Sequence, residues 1–162
     1  MSRFRRKHSL QFSNPKKTDP RAAGLYIHVP FCASKCPYCD FFSSTETGMI
    51  DAWCKALCRE LDFYLEQFPR FETLYLGGGT PSLLDDTQLG SLMAHVRRSV
   101  AIDEGAECTI EVNPDDVTRD EARALRDLGF NRLSIGVQSF DERLLRLLKR
   151  RHTAAQACSA VE

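Results

Sequence analysis

Cys32, Cys36 and Cys39 stand within eight consecutive positions and are the residues of this chain best suited to chemistry. Their spacing is C-x₃-C-x₂-C. Thiolates are soft ligands, and this density in a short loop lets them serve one metal centre. A structural zinc closes its tetrahedron with four protein ligands, so that reading must recruit His28 or a distant cysteine. A four-iron, four-sulfur cube usually takes four cysteines. Held by three, it has one iron open to an outside molecule.

Other residues of chemical interest follow. Gly77-Gly78-Gly79 removes three side chains in a row, which lets backbone groups approach a ligand closely, or simply makes a flexible turn. Glu111 on an apolar run needs a partner, because an isolated buried carboxylate is costly. A ligand amine, ribose hydroxyls or an arginine of the same rim would each supply one. Gln138 can bond ribose or serve as a helix-entry side chain. Arg150 offers fork geometry to a carboxylate, or a solvated helix end. Tyr26 and His28 alternate onto one strand face, and His28 reads as a hydrogen-bonded core histidine rather than a metal ligand.

The elements that must position these residues are visible as alternating patterns. Leu25 to Val29 is a short β-rich run ended by Pro30, and the cysteine loop follows it directly. Ile50, Trp53, Leu57, Leu61, Leu65 and Phe68 recur at helical spacing up to Pro69. Thr73–Leu76 is a second strand, broken by the glycines. Asp85 and Gln88 form a capping pair for a helix that turns Leu89, Leu92, Met93 and Val96 inward. Cys108–Val112 is a third strand, stopped by Asn113-Pro114. Thr118 and Glu121 make a capping box for a helix ending at Gly129. A fourth strand lies between Asn131 and Val137. Asp141 then caps a helix carrying Leu144, Leu145 and Leu148, with Lys149 and Arg150 at its negative end.

Four strands alternating with four helices imply a parallel sheet, either doubly wound or part of a (β/α) barrel. In both architectures ligands gather at the carboxyl ends of the strands. The cysteine loop, the glycines, Glu111 and Gln138 each fall at such an end. Four separate segments pointing at one rim is the strongest functional signal in the sequence.

Composition sets the class. Lys+Arg and Asp+Glu both number 22, so charge argues for neither nucleic acid nor a membrane surface. No apolar run approaches the roughly 20 residues a bilayer requires. The seven cysteines are odd in number and not arrayed as a disulfide framework, which reads as reduced thiols in the cytoplasm. Cys54 and Cys58, one helical turn apart, read as small hydrophobes on a packed face. Residues 1–22 are basic, with one acid, Asp19, and read as a disordered arm before residues 23–162.

Taken together these motifs resemble the radical S-adenosylmethionine superfamily. The cysteine spacing is that superfamily's cluster motif, and Gly77-Gly78-Gly79-Thr80-Pro81 matches its methionine-binding glycines. Tyr26-Ile27-His28-Val29-Pro30-Phe31-Cys32, Cys36-Pro37-Tyr38-Cys39-Asp40-Phe41, Ile110-Glu111-Val112-Asn113-Pro114 and Leu133 to Phe140 resemble one branch of it. That branch holds oxygen-independent coproporphyrinogen III oxidases and related haem chaperones. The resemblance implies a 4Fe-4S cluster on Cys32, Cys36 and Cys39, with S-adenosyl-L-methionine chelating the open iron. It aligns Tyr26, Tyr38, Gly78, Gly79, Thr80, Glu111, Gln138 and Arg150 with S-adenosylmethionine contacts. In enzymes of the superfamily an electron from the reduced cluster cleaves the sulfonium, giving methionine and a 5′-deoxyadenosyl radical. No further catalytic residue is assigned.

The resemblance also implies haem or a porphyrin as a ligand, an electron-donor protein and a haem-acceptor protein as partners. The true oxidases carry a further cysteine two positions after the third cluster ligand, where this chain has Phe41. That ending is the chaperone pattern, so haem delivery is the expectation and oxidative decarboxylation in porphyrin biosynthesis the alternative. The implied fold is a partial (β/α) barrel of the radical-SAM type with about four βα units. Residues 23–162 would be the N-terminal part of a longer core, since family members continue beyond the equivalent of Glu162. The fourth strand would then show an open edge, and the 162-residue chain alone is expected to be marginally stable or to aggregate.

Overall fold

The computed structural model of the chain describes residues 23–64, 67–68 and 70–162. The expected basic arm and the positions of Leu65 and Pro69 lie outside the described residues.

Four strands, β1 (Ala23–Val29), β2 (Arg70–Gly78), β3 (Ala101–Val112) and β4 (Arg132–Ile135), form one sheet in the order β1-β2-β3-β4. All three pairings are parallel. A doubly wound sheet reverses its strand order at a switch point. This one runs on in chain order, as a barrel wall does. The crossovers carry α1 (Ile50–Tyr64), α2 (Asp86–Ser99) and α3 (Arg119–Asp127). Two short helices, α4 (Glu142–Leu147) and α5 (Ala154–Ser159), follow β4.

Alternation along the strands divides the sheet into two chemically different faces. Ile27, Val29, Leu74, Leu76, Ile110 and Val112 are buried, in one core with Leu89, Leu92, Met93 and Val96 of α2. Burying each such side chain contributes roughly 1.5–3 kcal/mol. The intervening positions put Tyr26, His28, Tyr75 and Glu111 on the opposite face. Their side chains meet there: the Tyr26 and Tyr75 rings lie 5.8 Å apart, and Tyr75 donates to Glu111.

Both expected capping boxes form. Gln88 N–H donates to Asp85 Oδ1 at 2.8 Å, and Glu121 N–H donates to Thr118 Oγ1 at 3.2 Å. Trp53 packs edge-on against Phe31, which fixes α1 under the start of the cysteine loop. Cys54 and Cys58 pack partly buried against the core, and burial pushes both thiols above their ordinary range.

The elements differ from expectation in several places, and β4 is confined to Arg132–Ile135. Helix α1 ends at Tyr64, so Phe68 lies beyond it and is exposed. Strand β2 runs through Gly77 and Gly78, which pair with His28 and Val29, so the first two glycines are strand residues rather than its break. Strand β3 begins at Ala101, with its register to β2 jumping from Ile102 to Glu107. The polar residues around Gly105, whose φ is +78°, bulge out there and hide the strand's first half from an apolar pattern. In α4 only Leu145 is buried, while Leu144 is half exposed. Helix α5 has no counterpart among the expected elements, although Thr153 and Gln156 give it a capping box.

Candidate functional site

The carboxyl ends of the strands open onto a cavity of about 770 Å³. Cys32, Cys36 and Cys39 line it, together with Tyr38 of the same loop. Gly78, Gly79 and Thr80 contribute from the end of β2, Glu111 from β3, and Gln138 and Arg150 from the segments after β4. Tyr26 does not line the cavity. It stands one layer down, donating to His28 Nδ1 at 3.1 Å and packing on Tyr75.

The cysteine loop is held by its backbone. Cys32 N–H donates to Ser44 O at 2.9 Å, and Ser44 N–H returns to Pro30 O at 2.7 Å. His28 Nε2 lies 2.8 Å from Phe42 O. A carbonyl only accepts, so Nε2 carries the proton and Nδ1 is left to accept from Tyr26. His28 is thus the hydrogen-bonded histidine expected, though only half-buried, and it is a strap across the loop.

The glycines fit against this loop. Gly79 N–H donates to Val29 O, and Thr80 N–H to Phe31 O, both at 2.7 Å. A Cβ at position 79 would stand 2.5 Å from Phe31 O, 2.9 Å from Val29 O and 3.0 Å from Cys32 Sγ. Gly78 has φ +114°, a region that side chains disfavour. The cavity wall is therefore bare backbone because nothing larger fits.

Glu111 accepts from Tyr75 Oη at 2.7 Å and from Gly78 N–H at 2.9 Å. These partners replace the arginine considered from sequence. Burial, followed by the hydrogen bond to the Glu111 carboxylate, pushes the Tyr75 phenol above its ordinary range, so it remains a donor. A carboxylate has roughly four acceptor positions; two are taken here, which leaves capacity facing the cavity.

Arg150 is drawn inward from beyond α4. Its Nη2 donates to Asn113 Oδ1 and to Gly136 O, each at 2.7 Å. Its Nη1 points at Tyr38 Oη, 3.3 Å away, and at Cys36 Sγ, 3.8 Å away. Burial raises the Tyr38 phenol's pKa, and the Arg150 charge opposes that rise. Gln138 adopts φ +62°, an uncommon conformation for a side-chain-bearing residue. The preceding Val137 carbonyl is fixed by His152 Nε2 at 3.0 Å and by Ser139 N–H at 2.7 Å.

The donor set can be tested against the group that the sequence suggests. All seven cysteines are free. Among the described residues, no three His, Cys, Asp or Glu side chains converge as ligands of one ion. Cys32, Cys36 and Cys39 nevertheless all line the one cavity. A cubane meets each cysteine on a different iron, so three free cysteines lining one roomy, glycine-walled cavity fit it.

Sequence reasoning did not single out Asn113, Gly136, Ser134 or Lys149, all of which line the cavity. Asn113 stood there only as the stop of a strand and as one letter of the Ile110–Pro114 motif, with no role of its own. Its place in the segment after Glu111, at a strand's carboxyl end, was the available signal.

The sequence matches the radical SAM superfamily over residues 26–162. It is 40% identical over 142 residues to the heme chaperone HemW of Escherichia coli (strain K12), covering 85% of this chain and 38% of that protein. To heme chaperone HemW of Lactococcus lactis it is 38% identical over 138 residues, covering 85% of this chain and 36% of that one. Among solved structures it resembles coproporphyrinogen III oxidase from Escherichia coli, described as a radical SAM enzyme, with TM-score 0.77 and 34% identity. That match covers 84% of this chain and 32% of the oxidase. The chain thus spans about a third of the length of these relatives. No helix among the described residues is long and apolar enough to cross a membrane.

Proposed function

The chain belongs to the radical SAM superfamily, and from that premise we propose that it binds a 4Fe-4S cluster and S-adenosylmethionine in this cavity and serves as a haem chaperone. The observation that carries the reading is a single cavity lined by the three loop cysteines, the bare end of β2, Glu111 and Arg150. Cys32, Cys36 and Cys39 would hold the cluster, leaving one iron for the methionyl amine and carboxylate. Such a pair supplies one-electron cleavage of a sulfonium carbon–sulfur bond when reduced.

The chain's own residues bind and orient. Gly78 and Gly79 leave room for the methionyl backbone to approach β2. Glu111, with free acceptor capacity, takes a ligand ammonium or ribose hydroxyls. Arg150, its guanidinium tethered to Asn113 and Gly136, presents fixed positive charge to a carboxylate. Thr80 and Gln138 flank the cavity as polar contacts, and the Tyr38 phenol oxygen accepts from Arg150 Nη1 at 3.3 Å. Tyr26 acts at one remove, through Tyr75 and His28.

Haem delivery to an acceptor protein is supported by the names of the relatives and by Phe41, which occupies the place of the oxidases' additional cysteine. An electron-donor protein would reduce the cluster, and a cytoplasmic setting suits seven free thiols. The alternative, oxidative decarboxylation of a porphyrinogen, is favoured by the structural likeness to the oxidase.

The test is anaerobic reconstitution followed by electron paramagnetic resonance of the reduced protein. A cubane signal that shifts on adding S-adenosylmethionine is expected. Its absence, or its indifference to S-adenosylmethionine, overturns the reading. Adding haem should give a bound Soret band without decarboxylation of added coproporphyrinogen; decarboxylation with release of 5′-deoxyadenosine would instead establish the alternative.

A further inference from the structure

We infer that Asp116, outside the cavity lining, is a positioning residue that sets the orientation of Arg150 and hence the affinity of the site for S-adenosylmethionine. The inference rests on the cofactor reading above.

Asp116 closes the 3₁₀ turn Pro114–Asp116 that follows β3. Its carboxylate gathers three donors from three separate segments. Ser82 Oγ donates to Oδ2 at 2.7 Å, and Asn113 Nδ2 donates to the same oxygen at 3.1 Å. Arg151 Nη2 donates to Oδ1 at 3.0 Å and is shared with Asp115 Oδ2 at 3.2 Å. Ser82 lies two positions after Thr80, on the turn that continues the glycine wall. Arg151 is the chain neighbour of Arg150. One anion therefore ties together the turn beyond the glycines, the exit of β3 and the exit of α4.

The bond to Asn113 has the sharpest consequence. An amide has a donor end and an acceptor end. A carboxylate can only accept, so Asp116 fixes which end of Asn113 faces it. The NH₂ turns to Asp116 and Oδ1 turns to Arg150 Nη2, at 2.7 Å. Without the carboxylate the NH₂ loses its anchor and the amide is held from the Arg150 side alone, free to swing out of the position in which Oδ1 meets the guanidinium. One of the two strong tethers of Arg150 is then loosened, and only the bond to Gly136 O stays as it was. The relay runs Asp116, Asn113, Arg150, and its last member faces Tyr38 and Cys36.

Removing groups that orient direct ligands typically costs about 10–100-fold in affinity. The experiment compares the reconstituted full chain with Asp116→Ala, Arg150→Ala and the double variant. The readout is the S-adenosylmethionine concentration that half-shifts the reduced-cluster resonance, with iron and sulfide content measured alongside. Asp116→Ala should raise that concentration about tenfold at unchanged iron and sulfide content. In the Arg150→Ala background it should add little, because the residue acts through Arg150. An unchanged half-saturation, or losses that multiply in the double variant, would overturn the inference. Should Asp116→Ala fail to fold, Asp116→Asn keeps the volume while offering an amide to Arg151 and Asn113, and the same weakening is expected. An unmodified chain whose resonance ignores S-adenosylmethionine defeats the cofactor reading instead, a result distinct from either.

Discussion

Gly79 carries the tightest steric constraint at the site, because the atoms a methyl group would meet are backbone oxygens rather than flexible side-chain ends. Gly79→Ala must push the Phe31 carbonyl, and Cys32 with it, away from β2. The expected outcome is a folded protein whose iron and sulfide content after reconstitution falls severalfold, checked by metal analysis beside far-ultraviolet circular dichroism. The reason for this glycine was only half legible in the sequence. A run of three announces room for something, yet Gly77 and Gly78 belong to the strand, and only the structure shows the third pressed on the cysteine loop. The cysteines were legible as a group, since their spacing puts them on one loop, and all three line the cavity. Glu111 was legible as a residue needing partners, but its donors are a tyrosine from the next strand and a strand-end N–H, which no local pattern reveals. Asn113 and Asp116 were missed because their importance lies in which end of an amide faces which neighbour.

At the level of elements, the caps were the easiest features to foresee. Asp85 with Gln88 and Thr118 with Glu121 form reciprocal bonds where residue type and spacing require them. Thr118→Ala removes an acceptor from the first turn of α3 and is expected to cost about 1 kcal/mol. Chemical denaturation should show a lower midpoint, while reconstituted iron content stays at the unmodified level. That separation holds because α3 lies on the core side of the sheet and contributes no side chain to the cavity. Strand ends were harder to foresee. The first half of β3 is polar and irregular, and β2 extends through glycines that propensity alone assigns to a turn. Helix α5 is six residues long and short of periodic signal, although its capping box was present in the sequence.

For the molecule as a whole, both flanking strands, β1 and β4, lack an outer strand neighbour among the described residues. On the inner side β4 pairs with β3 over four residues; on its outer side no strand among the described residues covers it. Unpaired N–H and C=O groups along a short apolar strand invite pairing with another chain. A purified polypeptide of these 162 residues is therefore expected to self-associate, with light scattering giving a mass that rises with concentration. A mass that stays monomeric across the range would show the edge to be protected. The sequence foresaw the alternation of strands and helices but left two architectures open, and strand order distinguished them.

The strap formed by His28, together with the exchange of hydrogen bonds between Pro30, Cys32 and Ser44, closes the cysteine loop into a hoop through protein groups alone. In a zinc finger, uptake of the ion and folding are a single event. Here the loop's ties are hydrogen bonds of the backbone and of His28, none of them made by a cysteine sulfur, so losing a cysteine side chain leaves them in place.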